Sequence, residues 1–150
     1  ALAFICVLGC FFAACDNSTD PEPEPKDEVF EARRTMIFNL GERLILPGYD
    51  ILEGQVLILK TTAQTFTDSP SKSTLIDDQN ALKFAWLSWQ RAAPYMFGPS
   101  EAVTLRKALN TYPSDTDKIE SNIASGNYIL GSLDNAAAVG FPAVDYMLNG

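Results

Sequence analysis

Between Tyr49 and Phe66 the apolar residues Tyr49, Leu52, Val56, Leu59, Ala63 and Phe66 succeed one another at steps of 3, 4, 3, 4 and 3. A strand exposes alternate residues to opposite faces and cannot keep such a set together, whereas a helix of about 3.6 residues per turn stacks it into one stripe. The stripe predicts a helix ending near Asp68, before a loop of Ser69, Pro70 and Ser71. No strand-like alternation of any length follows Glu28. A core built by this chain therefore has to come from helices.

The flanking segments read the same way. Upstream, Val29, Phe30, Ile37, Leu40 and Leu44 form an amphipathic stretch expected to close at Pro47 and Gly48. Downstream, Leu75, Leu82, Trp86, Trp89, Ala93 and Met96 keep a heptad-like seam, with Thr74 as its N-cap and Asp77 at the third position. Pro94 falls in the last turn of that helix, and Gly98 with Pro99 ends it. A weaker helical stretch covers Ser100 to Leu109. After the break at Tyr112 and Pro113, Ser114 with Asp117 is placed to cap a short helix carrying Ile119 and Ile123. Gly126, Gly131 and Gly140 punctuate a loop-rich stretch, after which Phe141 to Leu148 reads as the start of one more helix. Long helices joined by short loops pack antiparallel, so the expected fold class is all-α, an antiparallel helical bundle. With 47% of residues apolar, the chain has material for a core.

The first residues have a different character. Ala1 to Ala14 is almost wholly apolar, yet at 14 residues it is short of the roughly 20 that a helix needs to span a bilayer. It reads as the hydrophobic region of a signal peptide whose initiator Met and basic leader precede the residues seen here. The run stops at Cys15, after Ala13 and Ala14 and before Asp16, Asn17, Ser18, Thr19 and Asp20. That pattern resembles the lipobox of bacterial lipoproteins, with Phe12 where an aliphatic residue usually stands, and it makes Cys15 the expected lipid anchor. Cys10, after Val7, Leu8 and Gly9, is the competing site, but cleavage there leaves Phe11 and Phe12 at the new terminus. All the cysteines, Cys6, Cys10 and Cys15, lie in this leader, so neither a disulfide framework nor a cysteine metal site is available to the body. From residue 15 to Glu28, Pro21, Pro23 and Pro25 alternate with Glu22 and Glu24, an acidic tether too poor in apolar surface to fold. The expected organisation is a signal peptide over 1–14, a tether over 15–28 and a helical domain over 29–150. The expected location is the cell envelope, lipid-anchored to the outer membrane on its periplasmic or outward face.

Composition removes several functions. There is no histidine, hence no Ser-His-Asp triad, Cys-His dyad or histidine zinc site in these residues. A net charge of −8 with few, scattered Lys and Arg argues against nucleic acid as a partner. Trp86 and Trp89, with Phe84 and Tyr95 nearby, are placed for an aromatic ligand pocket, although aromatics at helical spacing more often form core. Asp77 and Asp78 point in different directions from one helix, so they read as a cap and a solvated neighbour rather than a cation site. Asp115, Asp117 and Glu120 carry the same ambiguity.

Several segments in order resemble the imelysin family of bacterial envelope proteins, also called insulin-cleaving membrane protease-like. They are Leu46-Pro47-Gly48-Tyr49, the Trp86 to Arg91 helix running into Phe97-Gly98-Pro99, Tyr112-Pro113 before Asp117, Lys118 and Ile119, and Gly140-Phe141-Pro142-Ala143-Val144-Asp145-Tyr146-Met147-Leu148. The resemblance implies an all-helical protein of two related bundles, of which this chain supplies the first. It also aligns the last segment with the family's G-x-H-x-x-E signature, which is proposed to take part in metal binding. Pro142 stands where the histidine belongs and Asp145 where the glutamate belongs. Proline has no lone pair for a metal and shuttles no proton, so the peptidase chemistry that the family name implies lacks its nitrogen donor here. Asp145 keeps a carboxylate for a cation, iron or another divalent ion, or for a polar ligand, or else it satisfies a buried polar neighbour. Tyr146 and Arg91 are candidates for the same pocket. The implied function is an envelope-anchored lipoprotein that binds a ligand or metal without peptidase activity. The alternatives are a metallopeptidase completed by a C-terminal half, and a scaffold or adhesion lipoprotein.

Overall fold

The computed structural model describes residues 28–150, and among these every regular element is a helix or helical turn. The described residues fall into two units, the first ending at Thr35 and the second spanning Met36–Gly150. Of the first unit the described residues are the opening turns of helix α1, Glu28–Leu40, in which no residue is buried. The second unit is an all-α helical bundle, as the periodicity predicts.

Its frame is a hairpin of two long helices, α2 over Leu46–Asp68 and α3 over Lys72–Ala92. Their antiparallel course follows from paired positions at both ends. Thr62 meets Asp78 near the loop, and Gly48 and Tyr49 meet Arg91 and Tyr95 at the far end. The stripe read from the sequence is the packed face of α2, with Leu52 and Leu59 buried and Tyr49 and Val56 half-buried against them. α3 answers with Ala81, Leu82, Ala85, Trp89 and Ala92. Small alanines between the larger residues let the helices approach while Trp89 fills the gap left between them, and its indole is 1% exposed.

Several boundaries differ from the sequence expectation, each for a local reason. Pro47 and Gly48 do not break the helix. A π-helical turn over Gly41–Ile45 precedes them, in which the Leu46 N–H bonds Gly41 carbonyl five residues back. The wider turn places Pro47 in the first turn of α2, where a missing N–H costs least. The N-cap of α3 is Ser71, three residues before Thr74. Ser71 Oγ accepts from Thr74 N–H, and Thr74 Oγ1 accepts from Ser71 N–H, closing a capping box. α3 stops at Ala92 and tightens into a 3-10 turn, Ala93–Tyr95, around Pro94. The weak stretch is two short helices, α4 over Pro99–Ala102 and α5 over Leu105–Leu109, parted by Thr104 in the left-handed region at φ 50°.

Asp115, rather than Ser114, caps α6, Thr116–Ser125, by accepting from Lys118 N–H at 2.9 Å. Ile119 is buried, while Ile123 is exposed. The loop that follows is pinned from within: buried Asn135 accepts from Asn122 Nδ2 and donates to the Ile129 carbonyl and Ser132 Oγ. Helix α7, Phe141–Asn149, then packs on α3 through Phe141 and on α6 through Ala143 and Tyr146. Among the described residues no helix is long and apolar enough to cross a membrane.

Candidate functional site

The position of α7 is set by Gly140. Its φ of 84° and ψ of −172° lie where residues with a Cβ are strained, and a Cβ built there would stand 2.5 Å from the Leu109 carbonyl oxygen. The bare backbone can therefore press against the end of α5. Phe141 enters the core at the next position and stacks on Trp86, ring centroids 6.0 Å apart at 24°. Pro142 sits in the first turn of α7, where its ring fits, and is buried.

From that start, Pro142, Asp145, Tyr146 and Asn149 fall at helical spacing on one face. They line a cavity of about 260 Å³ together with Trp86 and Tyr112. Asp145 and Asn149 also border a larger cavity of about 550 Å³, whose opposite wall is α3 with Gln79, Asn80, Lys83, Trp86 and Gln90. Trp86, Asp145 and Asn149 are thus the shared wall of two adjoining cavities.

Asp145 is held in place by a relay from α3. Gln79 Nε2 donates to Asn149 Oδ1 at 2.9 Å and to the Leu148 carbonyl at 3.0 Å, and Asn149 Nδ2 donates to Asp145 Oδ1 at 2.9 Å. One carboxylate oxygen is thereby oriented. The other carries no hydrogen bond from a described residue. Trp86 is equally fixed, since its Nε1–H donates to Asn110 Oδ1 at 3.0 Å while Phe141 covers the ring.

The predicted site residues separate. Asp145 and Tyr146 are neighbours on the cleft, but the Tyr146 hydroxyl donates to Glu120 Oε1 at 2.8 Å. That bond, reinforced by partial burial and by the negative charges of Glu120 and Asp117, raises the phenol above its ordinary range. Arg91 is exposed, lines neither cavity, and lies where α3 passes Gly48. Cys15, with the segments expected to be a signal peptide and nearly all of a tether, lies outside the described residues. Of the tryptophans, Trp89 is core and Trp86 borders both cavities. Asp77 is exposed, but Asp78 is not a solvated neighbour: it is 2% exposed and accepts from Thr62 Oγ1 at 2.7 Å.

On the α3 wall of the cleft the sequence reading singled out Trp86 but passed over Gln79, Lys83 and Gln90, which with Trp86 step 4, 3 and 4 along the helix. That spacing was a readable signal. The Gln79–Asn149 contact, between helices far apart in sequence, had none.

A metal of the kind the motif implies does not fit this donor set. At the histidine position the buried Pro142 ring supplies no donor, the Tyr146 hydroxyl is committed to Glu120, and Asp145 is left as a single carboxylate. Among the described residues no three acidic, cysteine or histidine side chains gather closely enough to hold a metal ion.

No curated protein and no solved structure matches the chain significantly. A family model, Imelysin, matches residues 45–150, from the π turn to the last residue of α7 and beyond. Because that match takes in the α2–α3 hairpin, the Gly140 turn and the Asp145 cleft, and covers well over half of the sequence, the chain belongs to the imelysin family.

Proposed function

We propose that this protein is an envelope-anchored imelysin-family lipoprotein that binds a small polar ligand in the cleft beside Asp145 and does not cleave peptides. The observation that carries the reading is the relay from Gln79 through Asn149 to Asp145. It orients a carboxylate at the wall of a cavity large enough for a small molecule, whereas a carboxylate with a purely structural role would be enclosed by its partners. Anchoring rests on Cys15, where the apolar leader gives way to the polar tether.

Peptide hydrolysis by a bound metal needs ligands that hold a Lewis acid and an open position where water is activated. Pro142 takes away the nitrogen donor. A lone carboxylate with amide oxygens beside it suits a harder cation such as calcium, which activates water weakly. Elemental analysis of the purified protein after dialysis, together with cleavage of an unfolded protein substrate with and without chelator, tests this. The expected result is no stoichiometric transition metal and no chelator-sensitive cleavage, with metal content rising only in a Pro142→His, Asp145→Glu double variant. Chelator-sensitive cleavage by the natural protein, lost on Asp145→Ala, would replace the binding reading with an enzyme. Mass spectrometry of the mature N-terminal peptide should find diacylglycerol on Cys15, and lipid on Cys10 would move the anchor.

A further inference from the structure

The chemistry of the cleft bears on what kind of ligand enters it, and this step rests on the ligand-binding reading above. Trp86 is covered on one side by Phe141 and has its N–H occupied by Asn110. The indole is therefore fixed before any ligand arrives, and what it offers the cavities is ring surface rather than a donor. Around it the larger cavity gathers the carboxamides of Gln79, Asn80, Gln90 and Asn149. Each carries an acceptor oxygen and donor hydrogens. Gln79 spends its N–H groups on α7, leaving its carbonyl oxygen, and Asn149 keeps one N–H after serving Asp145. Asp145 and Lys83 line the same cavity with opposite charges, so the lining has no net charge.

A ligand with net charge would be selected by an excess of the opposite charge, which is absent from this lining. An extended peptide is held by free backbone groups, which α3 keeps in its own helical hydrogen bonds, and the apolar part of the wall, Leu82 and Leu87 beside the Trp86 ring, equally suits the C–H face of a sugar. A hydroxyl group, donor and acceptor at once, matches carboxamides and a carboxylate side by side. The electron-rich face of an indole attracts the weakly positive C–H face of a saturated ring. We infer that the cleft binds a saccharide, with one pyranose ring laid on Trp86 and its hydroxyls hydrogen-bonded to the carboxamides and to Asp145. Because both cavities share Trp86, Asp145 and Asn149, a short chain of sugar units runs from one past the indole into the other.

Trp86 also supplies the readout. It and Trp89 are the chain's tryptophans, and Trp89 is buried, so a ligand-induced change in emission reports on Trp86. The full chain is titrated with N-acetylglucosamine, with its β-1,4-linked trimer, and with choline and trialanine as an organic cation and a peptide. The expected result is saturable quenching by the trimer at lower concentration than by the monomer, with no response to choline or trialanine. By calorimetry, an Asn80→Ala, Gln90→Ala double variant, altered only at exposed side chains of α3, should bind the trimer about tenfold more weakly, the loss expected for deleted hydrogen bonds. Saturable binding of choline or trialanine, abolished by Asp145→Ala, with no saccharide response would overturn the sugar assignment and leave the ligand cleft standing. No response to any of the probes overturns both.

Discussion

Replacing Gly140 with alanine tests the joint on which the cleft depends. The new Cβ would stand 2.5 Å from the Leu109 carbonyl oxygen, 2.7 Å from its carbonyl carbon and 2.9 Å from the Ala108 oxygen. All are backbone atoms of α5, so no side chain can swing aside. The backbone angles, φ 84° and ψ −172°, lie in a region that is essentially reserved for glycine, and holding alanine there costs about 1–3 kcal/mol. Pushing α7 off α5 to relieve the overlap costs a further ~1–3 kcal/mol in lost packing. Together these are a sizeable part of the roughly 5–15 kcal/mol that a domain of this size has in hand. Urea unfolding followed by tryptophan emission should show a midpoint lowered accordingly, and the Trp86 signal should change in the folded baseline because Phe141 is displaced. Gly54→Ala is the control. Gly54 lies inside α2 with open space around its Cα, so alanine there should stabilise by about 0.8–1 kcal/mol through helix propensity alone. A Gly140→Ala protein within about 0.5 kcal/mol of the parent would refute the claim that a close backbone contact positions α7.

Three further outcomes follow from the packing and the hydrogen bonds. Trp89→Ala empties the centre of the α2–α3 interface and should lower stability by about 3–5 kcal/mol in the same urea assay, and an unchanged midpoint would contradict its burial. Thr62→Val removes the donor to buried Asp78 and should cost about 1–3 kcal/mol, largely recovered in a Thr62→Val, Asp78→Leu double variant; a neutral single variant would mean that water reaches the carboxylate. For Tyr146, the raised phenol means that its contribution to stability is complete below the ordinary tyrosine value near 10 and is lost as pH rises through the higher folded value. Ultraviolet titration should show a late tyrosinate component that disappears in Tyr146→Phe and moves down in Glu120→Gln, whereas loss of a component at the ordinary value would contradict the bond to Glu120.

The long helices were legible because their signal repeats. The α2 stripe supplies an apolar residue every turn for five turns, and every member is buried or half-buried. Boundaries were read less well where a single residue has more than one remedy. Pro47 stops a helix only if no π turn absorbs it, and the sequence of Gly41–Ile45 gives no periodic sign of that turn. Ser71 and Thr74 are both competent caps, and the choice falls to Ser71 because Thr74 can answer it reciprocally while also donating to the Ser69 carbonyl. Asp78 was misread for a different reason. Helical spacing alone placed it beside Asp77, but α3 turns that position toward α2, where Thr62 supplies a hydroxyl that no local pattern announces. The candidate site shows the same division: the resemblance singles out Asp145, while the orientation of that carboxylate depends on Gln79, and contacts across about 70 residues are decided by packing.

What the Gly140–Asp145 segment keeps and what it gives up point the same way. Gly140 is retained because the turn onto α7 and the contact with Leu109 require it whatever the cleft contains. The carboxylate is retained one helical turn beyond Pro142, on the same face and on the wall of the same cavity, so its place does not depend on a metal. Position 142 itself lies in the first turn of α7, where the backbone N–H has no helical partner and proline is favoured rather than merely tolerated. A histidine there would give an imidazole facing the smaller cavity beside Asp145; proline instead stiffens the start of α7 and leaves that cavity an apolar wall. Proline here gives α7 a more rigid start, which keeps Phe141 against Trp86 and Asp145 in register on the cavity wall. In this chain the segment works as the joint that sets α7 against α5 and α3.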